Sequence, residues 1–307
     1  MAKILIATEK PFSKVAVDGI KKVADEAGME LALLEKYTEK AQLLEAVADA
    51  DALIVRSDKV DAEVVEAAKN LKIVVRAGAG FDNLDLDACT KAGVVAMNTP
   101  GQNANSVAEL VFGMLVMAVR NFYDGTSGTE LMGKKLGILA FGNVGRNVAR
   151  IAKGFGMEVM AYDAFCPAEA IESAGVKAAA SQVELFEQCD VVSLHIPATA
   201  ETRNSINAEL VGKMKKGGIV VNTARKEVID EASLLELMKE RTDIKYVADI
   251  KPDMHAEYTE ALVGRYFATP KKMGAQTAEA NVNAGIAAAK QIVGYIKEGI
   301  TKFQLNK

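Results

Sequence analysis

The chain has 307 residues, of which 50% are hydrophobic, and its formal net charge is -4 at pH 7. This length and composition suit one large or two medium globular domains with buried cores. The mild acidity and the scattered Lys and Arg residues form no basic run, so we expect no nucleic-acid partner.

The cysteines, the histidines and the apolar runs argue against four further classes of protein. Three isolated cysteines and two distant histidines suit neither a disulfide framework nor a metal site, so we expect no metal. The longest apolar run, residues 110–119, is too short to cross a bilayer, and residues 1–8 lack the core of a signal peptide. We therefore expect a soluble cytoplasmic protein without a membrane partner.

Short runs of β-branched and aliphatic residues alternate with longer amphipathic stretches along the chain. This alternation predicts an α/β fold whose parallel sheets are covered by helices on both faces. The predicted strands are residues 3–7, 52–55, 72–75, 94–96, 136–140, 158–161, 191–194, 218–221, 245–248 and 266–269. The predicted helices include residues 15–27, 42–48, 103–121, 143–155, 232–239 and 277–297.

Two series of strands and helices flank the apolar segment 103–121, whose only charges are Glu109 and Arg120. Such a helix is expected to be buried on all sides, either within the chain or at the interface of a homodimer. The pattern predicts two doubly wound, Rossmann-like domains with a ligand-binding cleft between them. The predicted domains are residues 1–98 plus 276–307 and residues 99–275.

Residues 135–149 are predicted to form a strand, a tight turn and a helix, with Ala-x-Gly-x-x-Gly in the turn. Gly142 lets the backbone approach a pyrophosphate, and Gly145 lets the helix pack against the strand. Asp163, at the end of the next strand, is expected to accept hydrogen bonds from ribose hydroxyls and to favour NAD over NADP. Ala140 replaces the usual first glycine and fits only if its φ is negative.

Several longer segments carry a family resemblance. They are Ile-Val-Arg-Ser (54–57), Val-Arg-Ala-Gly-Ala-Gly-Phe-Asp-Asn (75–83), Met-Asn-Thr-Pro-Gly (97–101), Gly-Thr-Glu-Leu (128–131), Leu-Gly-Ile (136–138) and Asn-Thr-Ala-Arg (222–225). With the glycine-rich turn, they make nearly the whole chain resemble the D-2-hydroxyacid dehydrogenases, and most closely their short phosphoglycerate dehydrogenase branch. The resemblance implies an NAD-dependent enzyme that oxidises a small phosphorylated hydroxy acid.

The resemblance also implies roles for individual residues. The domain of residues 1–98 and 276–307 would bind substrate, and residues 99–275 would bind NAD. Arg225 would bind the carboxylate and carbonyl of the substrate. The other implied substrate-binding residues are Arg56, Ser57, Arg76, Ala77 and Gly78. The implied cofactor-binding residues are Ala79, Gly142, Asn143, Val144, Gly145, Asp163, His195, Ile196, Pro197, Thr223, Ala224, Asp249, Gly274 and Ala275.

The chain departs from the family pattern where the catalytic histidine and glutamate belong. The family's Pro-His-x-Gly-Ala segment reads Pro-Lys-Lys-Met-Gly-Ala here (270–275), which places Lys272 at the histidine position. The glutamate of the segment that begins at Asp249 is also missing. A lysine base needs its pKa lowered from ~10.4, and a glutamate partner would raise it, so the two changes are consistent. We predict that Lys272 is the proton carrier, with Lys271 as the alternative.

Other interpretations stay open at this point. Arg56, Arg76 and Lys59 could be solvated surface charges, and His255 is expected to be solvated. The enzyme could act on another D-2-hydroxy acid, such as glycerate or hydroxypyruvate, or the chain could be a non-catalytic NAD-binding module. Because the sequence ends at Lys307, we expect no regulatory serine-binding domain.

Overall fold

The computed structural model describes residues 1–306, and its chain divides into two compact units. The first unit comprises Met1–Asn103 and Gln276–Lys307, and the second comprises Ala104–Ala275. Each unit is built on one parallel sheet, so the predicted α/β fold with two Rossmann-like sheets is confirmed. No helix among residues 1–306 is long and apolar enough to cross a membrane.

The first unit contains a five-stranded sheet in the order β2-β1-β3-β4-β5. Its strands are β1 (Lys3–Thr8), β2 (Glu30–Glu35), β3 (Ala52–Val55), β4 (Ile73–Arg76) and β5 (Val95–Asn98). Its helices are α1 (Lys14–Ala27), α2 (Lys40–Val47), α3 (Ala62–Ala67), α4 (Leu86–Lys91) and, from the C-terminal segment, α12 (Ala278–Glu298).

The second unit contains a seven-stranded sheet in the order β12-β11-β10-β9-β6-β7-β8. Its strands are β6 (Lys135–Leu139), β7 (Glu158–Tyr162), β8 (Lys177–Ala178), β9 (Val191–Leu194), β10 (Ile219–Asn222), β11 (Lys245–Ala248) and β12 (Tyr266–Ala268). Its α-helices are α5 (Ala104–Val119), α6 (Asn143–Gly154), α7 (Ala168–Glu172), α8 (Gln182–Gln188), α9 (Ala208–Gly212), α10 (Glu231–Glu240) and α11 (His255–Ala261). Two 3₁₀ turns cover Asn121–Tyr123 and Lys226–Val228.

Successive side chains of each central strand enter two different hydrophobic clusters. In β1, Ile4 and Ile6 pack into one cluster, while Leu5 and Ala7 pack into the other. Because both faces of the strand are buried, its sequence is a continuous apolar run without polar alternation. This burial explains why the central strands could be predicted from short apolar runs.

The edge strand β2 was not predicted from the sequence. Its residues, Glu-Leu-Ala-Leu-Leu-Glu, are good helix formers, and Leu33 is 50% exposed. The parallel pairing of β2 with β1 overrides that local preference.

Segment 103–121 forms a shorter helix than predicted, and within the single chain one stripe of that helix is exposed. The helix α5 ends at Val119, because the following residues 121–123 have positive φ values of 50–61°. One stripe of α5, formed by Asn105, Glu109 and Gly113, is exposed at a spacing of four residues. The remaining faces pack inside the second unit.

The order of strands reverses direction once in each sheet. The reversal lies between β1 and β3 in the first unit and between β6 and β9 in the second. In open parallel sheets, ligands bind beyond the carboxyl ends of the strands at this switch point. Arg56 follows β3, Ala140 follows β6, and His195 follows β9, so these residues mark the candidate site regions of the two units.

Candidate active site

At the turn after β6, glycines and an uncapped helix start leave the backbone of α6 accessible to a ligand. A Cβ at Gly145 would lie 2.3 Å from the carbonyl oxygen of Ala140, so only glycine permits this packing. Gly142 is different, because its φ is -77° and a Cβ there would meet no protein atom within 4 Å. No side chain caps the first N–H groups of α6. The turn therefore fits a pyrophosphate, which these N–H groups and the helix dipole would bind.

Ala140 departs from the expected backbone conformation. Its φ is +78°, so the expectation of a negative φ at this position is wrong. Its N–H donates to the carbonyl oxygen of Tyr162 at 2.9 Å, and its own carbonyl faces Gly145. The strand-to-helix turn thus imposes a conformation that an L side chain adopts at a cost of about 1–3 kcal/mol.

The carboxylate of Asp163 organises the loops beside this turn. It accepts backbone N–H groups from Phe141 at 2.7 Å, Phe165 at 2.8 Å and Cys166 at 3.0 Å. The residue is half-buried. A carboxylate has roughly four acceptor positions, so these bonds leave capacity for a ribose hydroxyl.

The two imidazoles both have side-chain partners. His195 Nε2 lies 2.9 Å from Ser193 Oγ, and its Nδ1 lies 3.2 Å from Thr223 Oγ1. Desolvation lowers the pKa of His195 to about 3, so this ring stays neutral near pH 7. His255 is half-buried, and its Nδ1 lies 2.8 Å from the hydroxyl of Tyr266, so the ring is only partly solvated.

The two predicted catalytic cations share one backbone acceptor. The carbonyl oxygen of Ala224 accepts hydrogen bonds from Lys272 Nζ at 2.8 Å and from Arg225 Nη1 at 3.0 Å. Asn222 holds this turn, because its Oδ1 accepts the N–H of Ala224 and its Nδ2 donates to the carbonyl of Arg225. Arg225 is exposed and Lys272 is half-buried. The arrangement places an accessible guanidinium beside an amine.

Asp249 lies directly after β11 and is only 1% exposed. Its Oδ1 accepts the N–H of Met273 at 2.7 Å, and its Oδ2 accepts the N–H of Gly274 at 2.7 Å. Thr269 Oγ1 also lies 3.1 Å from Oδ1. These contacts fix the segment that carries Lys272, whereas Lys271 is exposed.

In the first unit, Arg56 is tied to three neighbouring groups. Its Nη1 donates to the carbonyls of Lys10 at 2.9 Å and Pro11 at 3.1 Å, and its Nη2 donates to Asn281 Oδ1 at 2.8 Å. The guanidinium also lies over the ring of Phe12. Burial lowers the pKa of Arg56 from its ordinary value. These bonds orient the side chain at the switch point of the sheet.

Arg76 lies beside Arg56 and Gly78. Its Nε donates to the carbonyl of Arg56 at 2.9 Å. A Cβ at Gly78 would lie 1.7 Å from Arg76 Nη1, so a larger residue there would displace the guanidinium. Ala77 and Ala79 are half-buried next to them, whereas Ser57 and Lys59 are exposed.

A carboxylate that was not predicted from the sequence lies beside the backbone of Arg56. Asp58 is 5% exposed, and its Oδ1 accepts the N–H of Glu9 at 2.7 Å and the hydroxyl of Tyr37 at 2.9 Å. Burial, followed by this hydrogen bond, raises the pKa of Tyr37. An aspartate that closely follows a predicted apolar strand was the available signal. No local signal identifies Asn281, which is far away in sequence.

The predicted site residues thus lie at the carboxyl ends of strands in the two units. The first unit contributes Arg56, Ser57, Arg76, Ala77, Gly78 and Ala79. The second contributes Gly142, Asn143, Val144, Gly145, Asp163, His195, Ile196, Pro197, Thr223, Ala224, Arg225, Asp249, Lys272, Gly274 and Ala275. Among residues 1–306, no group of three or more His, Cys, Asp or Glu side chains could hold a metal ion.

Residues 117–263 match the NAD binding domain of the D-isomer specific 2-hydroxyacid dehydrogenases. D-3-phosphoglycerate dehydrogenase of Methanocaldococcus jannaschii is 37% identical over 95% of this chain, which spans only 57% of that protein. Hydroxypyruvate reductase of Thermotoga maritima is 38% identical, over 86% of this chain and 90% of that protein.

A solved structure resembles the whole chain. NAD+-bound 3-phosphoglycerate dehydrogenase of Entamoeba histolytica is 46% identical, with a TM-score of 0.86 over 100% of this chain and 99% of that chain. Together with the matched NAD binding domain, this likeness confirms the prediction of NAD as the cofactor.

Proposed function

The chain belongs to the D-isomer specific 2-hydroxyacid dehydrogenase family, and from this premise we propose that it oxidises D-3-phosphoglycerate to 3-phosphohydroxypyruvate with NAD. This reaction would be the first step of phosphorylated serine synthesis. The observation that carries the proposal is the shared hydrogen bonding of Arg225 and Lys272 to the carbonyl of Ala224. There the guanidinium of Arg225 can bind the acid while the neutral amine of Lys272 accepts the proton of the adjacent hydroxyl.

The side chains of the second unit divide the chemistry between them. Arg225 binds the substrate carboxylate, for which the planar guanidinium offers two parallel donors. Lys272, as the neutral amine, removes the proton from the C2 hydroxyl. Bound NAD supplies the hydride acceptor for C2. His195 is not assigned as the proton carrier, because desolvation lowers its pKa to about 3, which makes the ring a weak base, and both ring nitrogens have partners.

We assign the binding of NAD and of the substrate phosphate to residues that follow other strands. The N–H groups at Gly142–Gly145 bind the pyrophosphate, and Asp163 binds the ribose hydroxyls. Arg56 and Arg76 bind the phosphate of the substrate, since they lie at the ends of the paired strands β3 and β4 and the Arg76 guanidinium donates to the backbone carbonyl of Arg56. The orientation of Arg56 by Lys10, Pro11 and Asn281 supports this assignment, because an oriented donor loses less entropy on binding.

The substrate is tested by following NADH formation with D-3-phosphoglycerate and with D-glycerate between pH 7 and pH 9. A kcat/KM at least about tenfold higher for phosphoglycerate is expected, because each phosphate contact adds a charge-assisted hydrogen bond. The similarity to hydroxypyruvate reductase favours glycerate and hydroxypyruvate as the second candidate pair. Equal or better use of glycerate would establish that alternative.

We also propose that the protein forms a homodimer through the exposed stripe of α5. The stripe is narrow and carries one charge, that of Glu109, and Gly113 leaves open space for close approach of another helix. Sedimentation velocity at low micromolar concentration should show a dimer, and Gly113→Arg should shift it toward monomer. A monomeric wild type would refute this proposal.

A further inference from the structure

We propose that Asp249 is a positioning residue for proton transfer, which it serves by holding the backbone around Lys272. The inference rests on the proposed function, since it needs Lys272 as the proton acceptor. The resemblance to the family implies only a cofactor contact for Asp249. The structure points to a second task, because the carboxylate directs both its oxygens into the segment after β12.

The segment around Lys272 is held by hydrogen bonds on both sides of the lysine. The N–H groups of Met273 and Gly274 both donate to the carboxylate at 2.7 Å, which is short for N–H to oxygen bonds. Thr269 Oγ1 lies 3.1 Å from the carboxylate and 2.8 Å from the carbonyl oxygen of Lys271. The backbone is therefore held immediately before and immediately after Lys272.

The packing around the carboxylate of Asp249 is also close. A Cβ at Gly274 would lie 2.7 Å from Asp249 Oδ2 and 3.1 Å from Val107 Cγ2. Asp249 is 1% exposed, and its own N–H donates to the carbonyl of Asn222 at 2.8 Å. The aspartate thus links the turn of Asn222 to the lysine segment. A buried carboxylate in such a position is stabilised by its N–H donors and transmits any displacement to the segment.

The backbone of the segment is connected to the amine of Lys272. Lys272 Nζ reaches the carbonyl of Ala224 at 2.8 Å, and the Ala224 turn is held by Asn222. Asp249 therefore contacts the Asn222 turn through its main-chain N–H and the lysine segment through its carboxylate. A displacement of the segment by about 1 Å would move the amine from its place beside Arg225, and such misplacement can cost about 10²-fold in rate.

Asp249→Asn is the most informative substitution, because it keeps the size of the side chain. The amide can accept at only one of the two positions, so its NH₂ group must face the N–H of either Met273 or Gly274. The repulsion should release one side of the segment without removing the residue. Thr269→Val is a milder companion variant, since it leaves both carboxylate bonds in place.

The position of the amine can be tested without cofactor or turnover. The protein without NAD is treated briefly with an N-hydroxysuccinimide acetate, and acetylation of Lys272 is measured by mass spectrometry relative to its exposed neighbour Lys271. In Asp249→Asn, the Lys272 to Lys271 ratio should rise by at least about threefold, because the bond to Ala224 is weakened. An unchanged ratio in a folded variant would overturn the positioning role.

A double-mutant cycle then connects position to rate. Asp249→Asn should lower kcat by about 10- to 100-fold in the wild-type background, but by less than about threefold in the Lys272→Ala background. KM should change less than kcat. Equal losses of kcat in both backgrounds would show that Asp249 acts independently of Lys272 and would overturn the inference. If Lys272→Ala alone kept normal turnover, the proposed base would fail, whereas the acetylation ratio would still report on position.

Discussion

Two segments of the second unit are held by the same kind of interaction, in which backbone N–H groups donate to an aspartate. The two aspartates differ in how far they are exposed to a ligand. The glycine-rich turn after β6 and the lysine segment after β12 both donate backbone N–H groups to an aspartate at a neighbouring strand end. Asp163, which accepts from the turn, is half-buried, whereas Asp249, which accepts from the lysine segment, is 1% exposed. The more exposed carboxylate can still meet a ribose, while the buried one is directed into the protein.

This difference indicates that one aspartate, Asp163, helps to select the cofactor, whereas the other, Asp249, helps to position the base. Substitutions on the side of Asp163 should mainly change affinity for NAD. Substitutions on the side of Ala224, Arg225 and Lys272 should mainly change turnover. The predictions below test this separation.

Among the binding residues, the largest expected effect follows from removing the guanidinium that binds the substrate carboxylate. Arg225→Ala should lower kcat/KM by about 10²–10³-fold, because the carboxylate loses its bidentate partner. Arg225→Lys should recover little, since an ammonium cannot offer two parallel donors. Steady-state kinetics with D-3-phosphoglycerate measures both, and NAD affinity provides the control. A matching loss of NAD affinity would contradict the view that Arg225 acts on the substrate and not on the cofactor.

A smaller effect is expected at Asp163. Asp163→Ala should weaken NAD binding by about tenfold, or about 1.4 kcal/mol, and reduce discrimination against NADP. Its melting temperature should also fall, because three backbone N–H groups lose their acceptor. Asp163→Asn is the matched control, which removes the charge but keeps one acceptor oxygen. Equal use of NAD and NADP by the wild type would contradict the assignment.

The smallest effect concerns the strained turn. Ala140→Gly should stabilise the fold by about 1 kcal/mol, because glycine adopts a φ of +78° without strain. Thermal unfolding measures the change, which corresponds to a few degrees in Tm. Ala92→Gly is the matched control, since Ala92 has a φ of -85° and should gain nothing. Equal shifts in both variants would show that the turn is not strained.

Most of the fold could be predicted because its central strands are buried on both faces. Residues 52–55, 191–194 and 245–248 were predicted with the bounds that the structure shows. The edge strand β2 was missed because tertiary pairing, not local composition, determines it. The end of α5 was missed because the three residues after it that have positive φ values include no glycine, so the sequence carries no signal for that conformation.

Parts of the candidate site could be predicted where a sequence motif reflects the local conformation or packing of the backbone. Gly145 is required by a neighbouring carbonyl, and the spacing of the motif reveals it. The roles of Asp58 and Asn281 depend on groups distant in sequence, so no local pattern could indicate them. The sharing of the Ala224 carbonyl likewise depends on how β10 and the lysine segment meet in space.

The central claim is that Lys272 carries the proton, and turnover of Lys272→Ala tests it most directly. With D-3-phosphoglycerate and NAD, kcat should fall by about 10²–10⁴-fold while the Kd for NAD stays within about threefold. Wild-type oxidation should rise toward alkaline pH, because only the neutral amine accepts a proton and lysine has a high ordinary pKa. Lys271→Ala is the matched control and should retain most of its turnover. Near-normal turnover of Lys272→Ala, or a comparable loss in Lys271→Ala, would contradict the account.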